Sequence, residues 1–263
     1  MAALSRATEQ QTMKAPAPIR CVFVDVGGVL LTDGWGHRAR RLAATTFKLE
    51  LSEMQERHEL TFDTYEEGKL TLDEYLYRVV FHKKRSFTRA QFRRFMFAQS
   101  KPYPEMIELL AQLKARHELK VAVVSNEGRE LNAYRIRAFK LDKLADVFIS
   151  SCFVHLRKPD VDIFRLALDI AQVPASQVVY IDNTPMFAQI ATTMGIRSIC
   201  HSDCRGTRAQ LALLGLSAGE EGVRDRRHPQ VVTVHHGAST IESERMDNRT
   251  GRNQRRHNQE RKP

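Results

Sequence analysis

The sequence predicts an α/β fold: a doubly wound, parallel, Rossmann-like sheet with an inserted all-helical cap domain. Strand and helix patterns alternate across residues 101–216, which is typical of parallel sheets with right-handed crossovers. Residues 33–100 show helical patterns but no strand pattern, so we expect them to form the cap. One strand pattern precedes the cap, within residues 19–32, and we expect it to join the later strands in one core domain.

The first strand is an apolar run, rich in β-branched residues, from Ile19 to Val24. Such a run is expected for a strand buried on both faces of a parallel sheet. It stops at Asp25, and Gly27 and Gly28 follow almost at once. Asp25 is therefore expected at the carboxyl edge of the sheet, where open α/β sheets bind ligands. A turn aspartate beside glycines that only supply backbone freedom is the alternative interpretation.

The cap is expected to be a set of helices with an apolar and aromatic interior. A helix is predicted at 37–49, and residues 54–97 are helical in pattern with a break near Gly68. A new helix starts at Thr71, because Thr71 and Glu74 have the spacing of a capping box, and a second start is predicted at Thr88. The aromatic residues of this stretch are interpreted as core rather than as a ligand site.

Beyond the cap, four further strands alternate with helices. The strands are predicted at 119–124, 147–149, 178–181 and 196–200, and the helices at 104–116, 127–139, 161–171 and 184–194.

The strand ends carry polar side chains that would meet at one edge of the sheet. They are Asp25, Ser125 with Asn126, Lys158 in the loop after the third strand, and Asp182 with Asn183. A nucleophilic carboxylate, a hydroxyl, a lysine and an acidic pair are what metal-assisted phosphoryl transfer requires. Structural alternatives remain: Ser125 caps the next helix, Lys158 is a solvated loop lysine, and Asp182 is the N-cap of the helix at Thr184.

Four motifs in register resemble those of the haloacid dehalogenase-like (HAD) hydrolase superfamily, most of whose members are phosphatases. They read VFVDVGGVL, VVSN, RKPDVDIF and YIDNTPMFAQIATTMG, and the resemblance covers about residues 19–216. The phrase EGKLTLDEY in the insert is similar to the helical-cap subgroup, which includes sugar-phosphate phosphatases and the N-terminal domains of epoxide hydrolases.

The resemblance implies a role for each strand-end residue. Asp25 would be the nucleophile that forms an aspartyl-phosphate, and Lys158 would stabilise both the nucleophile and the phosphoryl group. The substrate phosphate would contact Gly27, Ser125 and Asn126. Mg²⁺ would be held by Asp25, the carbonyl of Gly27, Asp182 and Asn183.

Two positions depart from the usual family pattern. Gly27 stands where an aspartate usually acts as general acid–base, a role worth roughly 10² to 10⁴ in rate. Asp33 and His37, near the start of the cap, are candidates to supply the proton instead. Asn183 replaces a second acid, and Mg²⁺ affinity should fall because Mg²⁺ prefers hard anionic oxygen ligands.

The expected function is therefore a Mg²⁺-dependent phosphatase acting on a small phosphorylated metabolite, in particular a sugar phosphate. The main alternative is a catalytically weak or inactive HAD-like binding or regulatory protein. A second alternative is a dehalogenase, which would use the same aspartate on carbon without a metal. A monomer or a homodimer is expected.

The composition limits which partners and which location can be expected for the chain. No apolar run approaches the roughly 18–20 residues that cross a membrane, and no secretory signal is visible, so a cytoplasmic protein is expected. The four cysteines show no zinc or disulfide pattern. The net charge is +10, and about half of the excess follows Arg224. We expect a flexible tail at 1–18 and a basic disordered tail at 217–263, the latter being the sole candidate for nucleic-acid contact.

Overall fold

The computed structural model describes residues 17–219, so the tails predicted at 1–18 and 217–263 lie almost wholly outside the described residues. A five-stranded sheet forms the core. Its strands are β1 (Cys21–Val24), β2 (Lys120–Ser125), β3 (Val147–Ser150), β4 (Val178–Asp182) and β5 (Arg197–Cys200).

All four strand pairs are parallel, and the strand order is β3-β2-β1-β4-β5. The chain builds outward from β1 in one direction and then returns to build outward in the other, so the doubly wound topology is confirmed. The order reverses at β1 and β4, and ligands of such sheets bind beyond the carboxyl ends of the strands at this reversal. Asp25 ends the first of these two strands and Asp182 the second.

Helices cover both faces of the sheet, because strands buried on both sides present apolar side chains in both directions. Val22 and Val24 face one apolar cluster, and Cys21 and Phe23 face the other. The helices after the cap are α6 (Pro104–His117), α7 (Arg129–Ala138), α8 (Ser151–Val154), α9 (Asp162–Ala171), α10 (Pro185–Thr193) and α11 (Cys204–Leu213).

Five helices connect β1 to α6 and enclose an apolar cluster of their own. They are α1 (His37–Phe47), α2 (Leu51–Glu59), α3 (Phe62–Glu66), α4 (Leu72–Val79) and α5 (Arg89–Ala98). The capping box predicted at Thr71 and Glu74 is present at the start of α4. The aromatic side chains of this region contact one another, as in the edge-to-face pair of Trp35 and Phe92 with ring centroids 5.7 Å apart.

The helical stretch predicted at 54–97 is divided more often than expected. The helix starts predicted at Thr71 and Thr88 are both present, as those of α4 and α5, but α2 ends before Leu60, which adds a break. The short helix α8 and the final helix α11 were not predicted. Helix α8 has four residues, which are too few to show a helical period. Helix α11 begins at the N-cap Asp203, whose side chain accepts from the Gly206 N–H at 2.7 Å.

The cap is closed against the core. The hydroxyl of Ser151 donates to the carbonyl of Glu66 at 2.7 Å, and Glu130 of α7 accepts from the backbone N–H of Leu72 at 3.0 Å. The ring of Tyr65 lies so close to Gly128 that a β-carbon there would be 2.0 Å from it. None of the helices in the described part of the chain is long and apolar enough to cross a membrane.

Candidate active site

Asp25 occupies the predicted position at the carboxyl edge of β1. Its backbone N–H donates to the carbonyl of Ile181 at 3.0 Å, which fixes it beside β4. Its side chain is 11% exposed, and its buried Oδ1 accepts no hydrogen bond from any residue between 17 and 219. Burying a carboxylate is costly unless opposite charge lies close to it, and Lys158 supplies that charge.

Lys158 joins the two strand-end carboxylates. Its Nζ lies 3.2 Å from Asp25 Oδ1 and 2.7 Å from Asp182 Oδ2, and it donates to the Tyr180 hydroxyl at 3.0 Å. The contact between Lys158 and Asp25 is an ion pair between buried side chains. The side chain of Lys158 is 1% exposed, so the interpretation as a solvated loop lysine is wrong.

The protonation of these groups follows from burial and mutual charge. Burial raises the pKa of the Asp25 carboxyl; Lys158 opposes this shift, and Asp182 reinforces it. Burial alone would lower the pKa of the Lys158 ammonium, but Asp25 and Asp182 raise it and prevail. The ammonium is therefore charged in the neutral range and holds two carboxylates near each other.

Asn126, for which a phosphate contact is predicted, also binds the backbone of the loop that carries Lys158. Its Nδ2 donates to the carbonyl of Lys158, and its Oδ1 accepts from the backbone N–H of Lys158, both at 2.8 Å. The side chain therefore holds the lysine loop in place. Ser125 is 1% exposed, and its hydroxyl lowers the pKa of Asp25 by hydrogen bonding. It does not cap α7, whose N-cap is Gly128 without a side-chain bond.

Asp182, which is predicted to bind the metal, is held by hydrogen bonds within the chain. Its Oδ1 accepts from the backbone N–H of Thr184 at 2.7 Å, but the N-cap of α10 is Thr184, without a side-chain bond, so the interpretation of Asp182 as the N-cap is wrong. Its Oδ2 accepts from Lys158 and from Tyr180, and the residue is fully buried. Both carboxylate oxygens are thus occupied within the chain, and Asp182 acts as the partner of Lys158.

The remaining oxygen donors fit a magnesium ion that keeps substrate and water ligands. Asp25, Gly27 and Asn183 line one cavity, and Asn183 packs against Gly28, where a β-carbon would be 2.1 Å from Nδ2. Within residues 17–219, no three His, Cys, Asp or Glu side chains cluster as a metal site. Mg²⁺ commonly uses one or two carboxylates and fills its shell with phosphate and water, so this set is compatible with it.

The cavity has a volume of about 320 Å³ and lies between the sheet edge and the cap. The cap side presents Trp35, Arg40, Phe62, Tyr65 and Glu66. A larger cavity of about 890 Å³ lies near the amino ends of β1 and β2, where Ile19 and Lys120 line it. None of the predicted site residues lines this cavity.

A buried ion pair anchors both connections between core and cap. Arg135 of α7 pairs with Glu127, and each side chain is 2% exposed. Arg135 also donates to the carbonyl of Thr32 at 3.2 Å and to the hydroxyl of Ser100 at 3.1 Å, one on each connection. Sequence reasoning missed this cluster: Glu127 and Arg135 are only 8 residues apart, but Thr32 and Ser100 lie 103 and 35 residues from Arg135.

Of the two candidate proton donors, Asp33 lies at the site and His37 does not. Asp33 lines the cavity, and its Oδ1 would be 3.7 Å from a β-carbon placed on Gly27. His37 is exposed, and its Nδ1 pairs with Gln55 Nε2 at 3.0 Å. The structure thus brings Asp33, and not His37, to the site.

The chain was compared with known proteins. Residues 19–191, more than half of the chain, match the family described as haloacid dehalogenase-like hydrolase. The putative pyrophosphatase PpaX of Caldanaerobacter subterraneus subsp. tengcongensis is 32% identical over 92 residues, which are 35% of this chain and 41% of that protein. Acyl-CoA dehydrogenase family member 10 of Mus musculus is 29% identical over 101 residues, 38% of this chain and 9% of that protein. The matched segments thus span less than half of either relative.

Solved structures agree on the fold. The HAD family enzyme BT-2542 of Bacteroides thetaiotaomicron, in complex with magnesium and inorganic phosphate, has a TM-score of 0.60 at 18% identity, covering 78% of this chain and 98% of that chain. A likeness at this identity establishes the fold alone. The family match over residues 19–191, with the motif residues gathered at one sheet edge, identifies the chain as a member of the haloacid dehalogenase-like hydrolase family.

Proposed function

We propose that the protein is a Mg²⁺-dependent phosphatase that acts on a small phosphorylated metabolite through an aspartyl-phosphate intermediate. The observation that carries this proposal is the buried carboxylate of Asp25 at the sheet edge, whose Oδ1 lies 3.2 Å from the Lys158 ammonium. The arrangement provides a nucleophile and a fixed positive charge where a phosphoryl group would gain negative charge.

The reaction would proceed in two displacements. A carboxylate oxygen of Asp25 attacks phosphorus, the bond from phosphorus to the alcohol oxygen breaks, and the alcohol leaves with a proton. Water then attacks the aspartyl-phosphate and releases inorganic phosphate and the free carboxylate. Lys158 holds Asp25 in position and offsets phosphoryl charge in both steps, while Asp182 and Asn126 hold Lys158.

Asp25, the carbonyl of Gly27 and Asn183 would hold the magnesium ion. When bound, the ion would supply positive charge that offsets the negative charge of the carboxylate and of the phosphoryl group. Asp182 would contribute indirectly, because its oxygens already bind Lys158, Tyr180 and Thr184. The magnesium and phosphate reported with BT-2542 support this assignment by fold analogy.

The closed cap favours a small substrate, and a sugar phosphate is the class we propose. A cavity of about 320 Å³ under a closed cap accommodates a metabolite rather than a folded phosphoprotein. Trp35, Phe62 and Tyr65 give its cap side aromatic surfaces, to which the apolar face of a sugar ring can pack.

Gly27 and Asn183 favour a second candidate, a catalytically weak or inactive HAD-like binding or regulatory protein. The first lacks the usual acid–base carboxyl, and the second lacks one negative charge toward the metal. The two candidates share a fold and a phosphate-sized site, so turnover separates them.

The test is a panel of phosphorylated metabolites and p-nitrophenyl phosphate, assayed with Mg²⁺ and with EDTA, for wild type and Asp25→Asn. We expect turnover by the wild type that requires Mg²⁺ and that Asp25→Asn abolishes. Equal inertness of both proteins across the panel would favour the inactive scaffold. Halide release from 2-haloacids that survives EDTA would instead favour the dehalogenase alternative.

A further inference from the structure

Glu66, at the end of cap helix α3, lines the same cavity as Asp25. Its side chain is 9% exposed. Its Oε2 accepts a hydrogen bond from Arg157 Nη2 at 2.7 Å, and its Oε1 makes no hydrogen bond within residues 17–219. The backbone carbonyl of Glu66 accepts from the Ser151 hydroxyl at 2.7 Å, so both its main chain and its side chain are fixed to the core.

One loop of the core positions both carboxyl groups. Arg157 contacts Glu66, and the next residue, Lys158, contacts Asp25 at 3.2 Å. Asn126 binds the backbone of Lys158 at both its N–H and its carbonyl, which limits movement of this loop. The nucleophile and the cap carboxyl therefore line one cavity, and both are fixed to the same loop of the core.

The surroundings of Glu66 suit a group that both donates and accepts a proton. Burial raises the pKa of its carboxyl to about 7, which outweighs the opposing effect of Arg157, and Glu127 and Asp63 raise it further. A proton-transfer group is most effective when its pKa lies near the working pH.

The other carboxylates of the cavity are less suited. Glu127 is bound by Arg135. Asp33 is exposed, whereas the side chain of Glu66 is 9% exposed and is fixed to the core.

We propose that Glu66 is the general acid–base residue of this chain and performs the task of the aspartate that Gly27 replaces. The proposal rests on the phosphatase function proposed above. In the first step the bond between phosphorus and the alcohol oxygen breaks, its electron pair goes to oxygen, and the proton of Glu66 transfers to that oxygen. In the second step the Glu66 carboxylate takes a proton from water as water attacks phosphorus and the bond to Asp25 breaks. Glu66 thereby regains its proton.

The test uses Glu66→Gln, which keeps the shape of the side chain and an oxygen for Arg157. The substrates are aryl phosphates of increasing leaving-group pKa and glycerol phosphate, with Mg²⁺ present. We expect kcat/KM for glycerol phosphate to fall about 10²- to 10⁴-fold. For p-nitrophenyl phosphate kcat/KM should change little, because its leaving group needs no proton. Its kcat should fall, with a burst of one p-nitrophenolate per enzyme as the aspartyl-phosphate accumulates.

Two variants complete the comparison. Asp33→Asn changes the other carboxylate beside Gly27, and we expect no dependence of its effect on the leaving group. Glu66→Asp keeps a carboxyl at a greater distance, and we expect an intermediate loss that rises with leaving-group pKa, so the proposal stays testable if Glu66→Gln folds poorly.

The outcomes separate the two proposals. If Asp25→Asn is inactive but Glu66→Gln shows no leaving-group dependence, the role of Glu66 is refuted and the phosphatase function stands. The same holds if Asp33→Asn shows the dependence instead. If Asp25→Asn retains turnover, or if the wild type is inert toward every ester, both proposals are refuted.

Discussion

Replacing Gly128 by alanine tests whether the cap is packed as closely against the core as the structure has it. A β-carbon at this position would lie 2.0 Å from Cε1 and 2.1 Å from Cζ of Tyr65. Carbon atoms in contact are separated by about 3.5 Å or more, so the ring and the helix start must part by about 1.5 Å. The backbone itself is not the obstacle, because φ at Gly128 is −73°.

Tyr65 has little freedom to yield. It is fully buried, and its ring stacks on Tyr75 with centroids 4.8 Å apart. The Tyr75 hydroxyl in turn accepts from Trp35 Nε1 at 2.7 Å. The strain therefore passes to the contact between α3 and α7, and overpacking of this kind costs about 1–3 kcal/mol. If the cap cannot close fully, KM for the substrate should also rise.

The assay is urea unfolding followed by the fluorescence of Trp35, which is the single tryptophan of the chain and is 2% exposed. The matched control is Gly206→Ala, whose β-carbon would meet nothing closer than 3.5 Å. We expect a lower free energy of unfolding for Gly128→Ala and no loss for the control. An unfolding midpoint and slope equal to those of the wild type in Gly128→Ala would refute the closed packing.

Two further predictions concern buried charge. Lys158→Met should abolish turnover and lower the free energy of unfolding by about 3–5 kcal/mol, because Asp25 and Asp182 lose their buried partner; a loss below about 1 kcal/mol in urea unfolding would contradict this. His58 is neutral in the fold, since burial lowers its pKa from 6.5 to about 3. As pH falls below about 6.5, His58 is therefore protonated in the unfolded chain but not in the fold. This difference should lower the free energy of unfolding by about 1.4 kcal/mol at about pH 5.5. His58→Gln should remove that part of the decline, and an unchanged pH dependence of unfolding would argue against a neutral buried imidazole.

The sequence allowed the sheet to be predicted well, because its cues are local. An apolar run such as Ile19 to Val24 fills two buried faces whatever its neighbours are, and parallel strands bring their polar ends to one edge. Asp25 and Lys158 could therefore be placed together from sequence alone, and they lie 3.2 Å apart.

The tasks of Asn126 and Asp182 could not be predicted, since they depend on partners chosen by the tertiary structure. Asn126 binds a backbone 32 residues away, and nothing near it in sequence marks that partner. Tyr180 was within reach of sequence reasoning: it lies two residues before Asp182 on the same strand, so both side chains point to one face. The general lesson is that residue chemistry at strand ends is predictable, whereas hydrogen-bond assignment is not.

The cap was predictable as a helical insert but not in its contacts. Glu66 belongs to an ordinary acidic pair in the sequence, and its environment arises from Arg157, 91 residues later, and from burial. The break before Thr61 was missed because the apolar pattern continues through it.

The central claim is that Asp25 accepts the phosphoryl group. The most direct measurement is acid quenching of the protein during turnover of p-nitrophenyl phosphate with Mg²⁺, followed by mass spectrometry of its peptides. The account predicts one phosphoryl group on the peptide that contains Asp25, and none in Asp25→Asn. Turnover without phosphorylation of that peptide, or phosphorylation at another residue, would contradict it.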